Sequence, residues 1–146
     1  MYSSAPAMKR LAHTTDALLV PDPLVLLKSL REKRDRQSLY QAIALGGAFM
    51  EGLGLLWFRK ELSSKGIDFH WKDNFPHIEM RNVLALLNSI NLINDDENKE
   101  FKKAASHRNT VVHRMYSQWV KPEAELKSMA DLIIKCVDTI LSGLKR

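Results

Sequence analysis

Apolar residues recur at helical spacing along most of the chain after residue 21, and the pattern contains no convincing period-two strand. Asp22-Pro23 predicts the start of a first, short helix, because an N-cap acceptor is followed by proline at the first helical position. Residues 37–62 are apolar on nearly every side between Leu39 and Phe58, which predicts a long buried helix.

Three further amphipathic segments follow the long one. Pro76 predicts a helix start, and the apolar stripe after it consists of Met80, Val83, Leu84, Leu87 and Ile90. The run Asn-Asp-Asp-Glu at 94–97 predicts the next start, because acidic side chains favour the positive end of a helix dipole. Lys121-Pro122 opens the last helix, which is expected to end near Gly143. The predicted fold is therefore all-α, with four main helices plus a shorter basic N-terminal helix packed as an antiparallel bundle.

The chain is expected to hold one domain. Residues 1–21 lack a sustained period and predict a loosely ordered N-terminal arm, which leaves 22–146 as a single helical domain. The arm contains no apolar run long enough for export, so we expect a cytoplasmic protein. The single cysteine, Cys136, lies in the apolar pattern of the last helix, where a buried and unreactive thiol is expected.

The long apolar helix has two interpretations. Twenty apolar residues are enough to span a bilayer, but Gln41 and Glu51 lie inside this segment and the rest of the chain has the composition of a soluble protein. A central bundle helix is therefore favoured, with no membrane association. Ala44, Ala48 and Gly52 recur every four residues along it, which predicts a tight helix crossing within the bundle or at a dimer interface.

The formal net charge of +5 is compatible with a polyanionic partner. The densest basic stretch, residues 28–36, is either a solvated helix face or an electrostatic footprint for nucleic acid. A predicted loop at 63–75 contains Phe69, Trp71 and Phe75, which either stack on bases or cover the open end of the bundle.

Several chemistries are excluded by what the sequence lacks. It has no glycine-rich phosphate loop after a strand, no nucleophile elbow and no H-E-x-x-H pair. Its five histidines are scattered, and His107 and His113 lie about 240 degrees apart around a helix, so they form no ligand pair. We therefore expect neither a cofactor nor a metal.

One arginine stands where the helical pattern calls for a core residue. The apolar positions of its helix are Phe101, Ala105, Val112, Met115 and Trp119, and Arg108 falls between the second and third of them. Burying an unpaired guanidinium costs several kcal/mol, so Arg108 should have either a partner or a function. A structural ion pair with Glu51, the acidic residue of the long apolar helix, would provide the partner.

Groups able to bind a phosphate or move a proton lie beside this arginine. Asn109, His113 and Tyr116 fall at i, i+4 and i+7, along one strip of the helix. A histidine can exchange a proton near neutral pH, and an arginine can bind the charge that builds on a pentacoordinate phosphorus. The set is suited to cleaving a phosphodiester without metal. The alternative is that Arg108 forms a structural ion pair and His113 is an ordinary half-buried helix residue.

Residues 108–113, Arg-Asn-Thr-Val-Val-His, resemble the signature of the HEPN superfamily, in which arginine and a polar residue precede histidine by a short spacer. The spacer of four and the asparagine after the arginine both match. The resemblance covers residues 37–144 in architecture. It implies a metal-independent endoribonuclease, commonly a toxin or defence factor, which acts as a homodimer with two motifs facing each other across a cleft.

The resemblance also assigns roles. Arg108 and His113 would be catalytic and Asn109 supporting, and the RNA 2′-hydroxyl would attack the adjacent phosphate to leave a 2′,3′-cyclic phosphate. One toxin branch carries a tyrosine two positions after the histidine, which a nucleotidyltransferase-like antitoxin modifies; Tyr116 lies three positions after it. Glu51 is inferred from burial alone to orient the arginine. The alternative is a non-catalytic HEPN-like module that binds a protein or nucleotide partner.

Overall fold

Five α-helices form the part of the chain that the computed structural model describes, residues 22–67, 80–114 and 121–146. They are α1 (Pro23–Lys33), α2 (Arg36–Ser64), α3 (Met80–Ser89), α4 (Asp95–Arg114) and α5 (Glu123–Leu144). No strand occurs in these ranges, and the predicted all-α helical bundle is confirmed. The predicted arm, the three loop aromatics, the predicted start at Pro76 and residue Tyr116 lie outside the described residues.

Polar side chains cap two of the helix starts that the sequence predicts. Asp22 Oδ1 accepts a 2.8 Å hydrogen bond from the backbone N–H of Leu24 at the start of α1. At the start of α4, Asn94 Oδ1 accepts from Glu97 N at 2.8 Å while Glu97 Oε1 accepts from Asn94 N at 2.9 Å. This reciprocal pair is a capping box, so the acidic run acts through specific hydrogen bonds as well as through charge.

A sharp turn joins α1 to α2. Arg34 adopts a left-handed conformation, with φ of 62°, and Asp35 then caps α2 by accepting 2.8 Å hydrogen bonds from both the N–H and the hydroxyl of Ser38. These bonds hold the pKa of Asp35 below its usual value. The helix therefore begins at Arg36, one residue before the start predicted from the apolar pattern.

The core forms where α5 lies along α2. Gly46 contacts Ile133 and Gly143 contacts Trp57, so α2 and α5 run parallel, which corrects the antiparallel packing predicted for the bundle at this helix pair. A Cβ added at Gly46 would lie 2.2 Å from Ile133 Cγ2. The close approach predicted for this part of α2 is thus made at Gly46, which lies outside the predicted small-residue stripe of Ala44, Ala48 and Gly52. Within the stripe itself, Ala48 and Gly52 are exposed.

Helix α4 packs against both of these helices. Glu100 accepts a 2.6 Å hydrogen bond from Lys135 of α5, and the stem of Arg108 lies on Gly47 of α2. The buried apolar residues of α4 are Phe101, Ala104, Ala105 and Val111. The predicted stripe is wrong at Val112, which is 37% exposed, because the core-facing strip continues from Ala104 through position 108 to Val111.

Two arginines of the predicted basic stretch have structural partners. Arg31 donates to both carboxylate oxygens of Asp131, at 2.7 and 3.1 Å, and Arg36 donates to the backbone carbonyl of Lys121. The first contact ties α1 to α5, and the second ties the start of α2 to the segment that precedes α5. Of the described helices, α2 is long and apolar enough to cross a bilayer by length and composition, and 44% of its most apolar window is buried inside the bundle.

Candidate functional site

Two adjoining clefts lie beside α4. The first, which we call the arginine cleft, measures about 530 Å³ and includes Glu51, Met80 and Arg108 in its lining. The second, which we call the lysine cleft, measures about 460 Å³ and includes Leu84, Lys102, Ser106 and Thr110. Both are lined in addition by Arg81, Ala105, Asn109 and His113. They therefore form two halves of one groove.

Helical spacing explains how α4 supplies this lining. Lys102, Ser106, Asn109 and His113 fall at i, i+4, i+7 and i+11, which places them along one strip of the helix. Arg108 lies on the neighbouring strip, between α4 and α2. The sequence-predicted residues Arg108, Asn109, His113 and Glu51 are thus brought together in the arginine cleft. Tyr116 lies outside the described residues.

Arg108 is held by packing and by one neutral hydrogen bond. Its Nη1 donates to Asn109 Oδ1 at 3.2 Å, while its Nε is buried and has no hydrogen-bond partner. Its stem packs on Gly47, where a Cβ would lie 2.1 Å from Arg108 Cγ. A buried N–H without an acceptor costs about 1–3 kcal/mol of stability, so an acceptor that reached this guanidinium would recover that free energy.

The ion pair suggested between Arg108 and Glu51 does not form. Within the part of the chain that the structure describes, no carboxylate oxygen lies within 4.0 Å of the Arg108 guanidinium. Glu51 is only partly buried and shares the arginine cleft with Arg108 at a longer distance. The guanidinium therefore keeps its charge available for an anion, which it can bind with two parallel hydrogen bonds.

The histidines of α4 occupy different environments. His113 is exposed and lines both clefts, so a ligand in either half of the groove can reach its ring. His113 is therefore not the half-buried helix residue that the alternative interpretation of the sequence predicts. His107 is partly buried and lines neither cleft, and its pKa is lowered by desolvation, then by the charges of Lys103 and Lys121.

Three residues of the site were missed by the sequence interpretation. Lys102 was detectable, because it lies seven residues before Asn109 and so on the same helix face. Arg81 and Gly47 carried no such signal, since their proximity to Arg108 and His113 depends on how α3 and α2 pack against α4. Periodicity within one helix does not contain that information.

The described residues include no group of three or more His, Cys, Asp or Glu side chains that could hold a metal ion. Comparison of the chain with protein-family models, curated proteins and solved structures finds no match. The functional argument therefore rests on the groove itself.

Proposed function

We propose that the chain is a metal-independent endoribonuclease of HEPN type, acting in the cytoplasm as a toxin or defence factor. The observation that carries the proposal is the arginine cleft, in which Arg108, Asn109 and His113 share one accessible space and Arg108 has no counterion among the described residues. Arg108 is partly buried, and its buried Nε has no acceptor, which is costly for stability; such cost is typical of binding and catalytic sites.

In the proposed reaction, the 2′-hydroxyl oxygen of RNA attacks the adjacent phosphorus. The O2′–P bond forms and the P–O5′ bond breaks, which leaves a 2′,3′-cyclic phosphate and a 5′-hydroxyl. A base takes the proton of the 2′-hydroxyl, and an acid gives one to the leaving O5′. His113 is suited to either transfer, and Arg108 to binding the negative charge on the phosphoryl oxygens.

Asn109 and Glu51 have supporting places in this scheme. The Asn109 side-chain oxygen accepts from Arg108 Nη1 and so fixes the plane of the guanidinium. Glu51 is the carboxylate among the described residues of the arginine cleft, where it would attract the arginine weakly without neutralising it. Tyr116 remains a predicted site residue, and this prediction rests only on its spacing from Asn109 and His113 in the sequence.

A homodimer would supply a second histidine. The exposed residues Ala48, Gly52 and Leu56 form a small, apolar strip on the outer face of α2, as a twofold helix contact requires. Because Gly52 directly follows Glu51, this contact would bring two arginine clefts side by side. Two histidines then share the roles of base and acid. A nucleotidyltransferase-like antitoxin remains a proposed partner.

A non-catalytic module that binds a nucleotide or protein partner is the second candidate. It is favoured because His113 is the one histidine in the described lining of the groove, and binding needs the arginine but no pair of proton-transfer groups.

Incubation of the purified chain with single-stranded RNA in EDTA tests the proposal. We expect cleavage, cyclic phosphate ends and no cleavage of the matching all-deoxy strand, which lacks the attacking hydroxyl. Cleavage that requires added divalent ion, or that leaves 3′-hydroxyl ends, would contradict this mechanism. Binding of RNA without any cleavage would support the non-catalytic candidate.

A further inference from the structure

The lysine cleft has the chemistry of a nucleotide-binding site. Its lining includes Leu84 and Ala105, which are 1% and 8% exposed and which we call its apolar floor. The polar residues Ser106 and Thr110 also line it. Its volume of about 460 Å³ lies within the range of small-ligand sites. An apolar floor with a few polar groups around it suits a flat base or a sugar.

Positive charge dominates this cleft. Lys102 is exposed and forms no ion pair with a described residue. No carboxylate belongs to the described lining of the lysine cleft, and Arg81 stands where it meets the arginine cleft. The cleft therefore favours an anionic ligand with an apolar part.

Lys102 lies far from the proposed reaction centre along α4. Lys102 and His113 are eleven positions apart on α4, which corresponds to about 16 Å along the helix axis at about 1.5 Å per residue. A phosphate contacted by His113 is therefore not the phosphate that Lys102 contacts. The side chains of Asn109 and Arg81 bridge the two positions by lining both clefts.

We propose that the lysine cleft binds the nucleotide next to the scissile phosphate, with its base or sugar against Leu84 and Ala105 and its outer phosphate at Lys102. This inference rests on the proposed function. It adds the path by which the substrate strand leaves the reaction centre. Lys102 is a binding residue in this scheme and touches no reacting atom. Arg81 contributes charge at the junction of the two nucleotides.

Salt-dependent binding of a non-cleavable strand tests the subsite. The probe is a fluorescent 2′-O-methyl oligoribonucleotide, which has no attacking hydroxyl, titrated with protein at several salt concentrations. Lys102→Gln removes the proposed phosphate contact, and Lys103→Gln removes the same charge from the adjacent exposed position, which lines neither cleft. Each phosphate contact to a single strand contributes about −0.7 to the slope of log K against log salt.

We expect Lys102→Gln to flatten this slope by about 0.7 and weaken binding several-fold, and Lys103→Gln to leave the slope near that of the wild type. Equal slopes for the two variants, with a wild type that cleaves RNA, would overturn the subsite and leave the proposed function standing. A wild type that neither binds the probe nor cleaves RNA would overturn the proposed function and the subsite with it.

Discussion

The stem of Arg108 lies directly on the backbone of Gly47, so closely that a Cβ at Gly47 would be 2.1 Å from Cγ and 2.9 Å from Cδ of the arginine. The absence of a side chain at position 47 gives the arginine the space it occupies. The direction of the guanidinium, and its reach to Asn109 Oδ1, depend on this contact. Gly47 is therefore a positioning residue for the arginine cleft.

Gly47→Ala should move Arg108 and lower RNA cleavage at least tenfold, because small displacements of a catalytic group are costly. The overlap with the new Cβ would involve carbons near the base of the Arg108 side chain, so rotation of the guanidinium end alone would not relieve it. Overpacking of this kind costs about 1–3 kcal/mol, partly offset by the better helix propensity of alanine. Thermal melting and cleavage rate on one preparation measure both effects.

Gly52→Ala is the matched control, since a Cβ at Gly52 meets nothing within 4 Å. It should stabilise the helix by up to about 1 kcal/mol, and it is a control for folding alone because Gly52 lies on the proposed dimer face. Introducing Gly47→Ala into an Arg108→Ala background should cost much less stability than in the wild type. Equal costs in both backgrounds would show that the strain does not come from Arg108.

The outer face of α2 should mediate the proposed dimer. Ala48→Glu places a charge in the middle of this face and should give a folded monomer, because burying an unpaired carboxylate at an interface is unfavourable. Ala85→Glu makes the same change at an exposed alanine of α3 and should leave the wild-type assembly. Light scattering at micromolar concentration reports the result, and a monomeric wild type would remove the paired-cleft scheme.

His107 should make the fold less stable in mild acid. Its folded-state pKa is lowered, chiefly by desolvation, so protonation favours the unfolded chain. Its stabilising effect is present above the unfolded histidine pKa, about 6.5, and is lost as pH falls below that value. His107→Gln should therefore lose less stability than the wild type between neutral pH and mild acid. Parallel urea titrations at each pH would measure the difference, and identical pH profiles would contradict it.

Cys136 should resist thiol reagents in the native protein. The residue is 1% exposed, as the apolar pattern of its helix predicts, and burial raises the pKa of its thiol to about 12. A disulfide-exchange reagent at neutral pH should modify the single cysteine at the rate of unfolding and should react at once in denaturant. Rapid modification of the folded chain would mean that α5 is accessible where it packs on the core.

The sequence predicts the helices well because local chemistry sets their ends. The cap at Asp22 and the capping box at Asn94 involve residues two or three positions apart, so the pattern contains both partners. The burial of position 108 was also predictable, from periodicity. Its surroundings were not, because the contact between Gly47 and Arg108 joins residues 61 positions apart in sequence through the packing of two helices.

The same limit explains the two corrections on helix faces. Val111 and Val112 are both apolar, and only the packing of α4 on α2 decides which of them is buried. The small residues of α2 occupy two strips, and the strip through Gly46 and Gly54 meets neighbouring helices while Gly52 faces outward. Glycine marks a possible close approach in sequence, but the partner is supplied by the tertiary fold.

The central claim is that Arg108 and His113 serve chemistry and are not needed for folding. Arg108→Met retains an apolar stem over Gly47 and strands no partner carboxylate, so its melting temperature should stay close to that of the wild type. Its cleavage rate should fall by about a hundredfold or more, and that of His113→Ala by about 10²–10⁴. The control Lys103→Gln should cleave at nearly the wild-type rate.

The decisive measurement is the RNA cleavage rate per folded molecule, taken together with the melting temperature, for Arg108→Met and His113→Ala. Lost cleavage with a retained melting temperature in both variants is the predicted result. A loss of about 3–5 kcal/mol of stability, as when a buried ion pair is broken, with unchanged cleavage in the folded fraction, would contradict the claim and make Arg108 a structural residue.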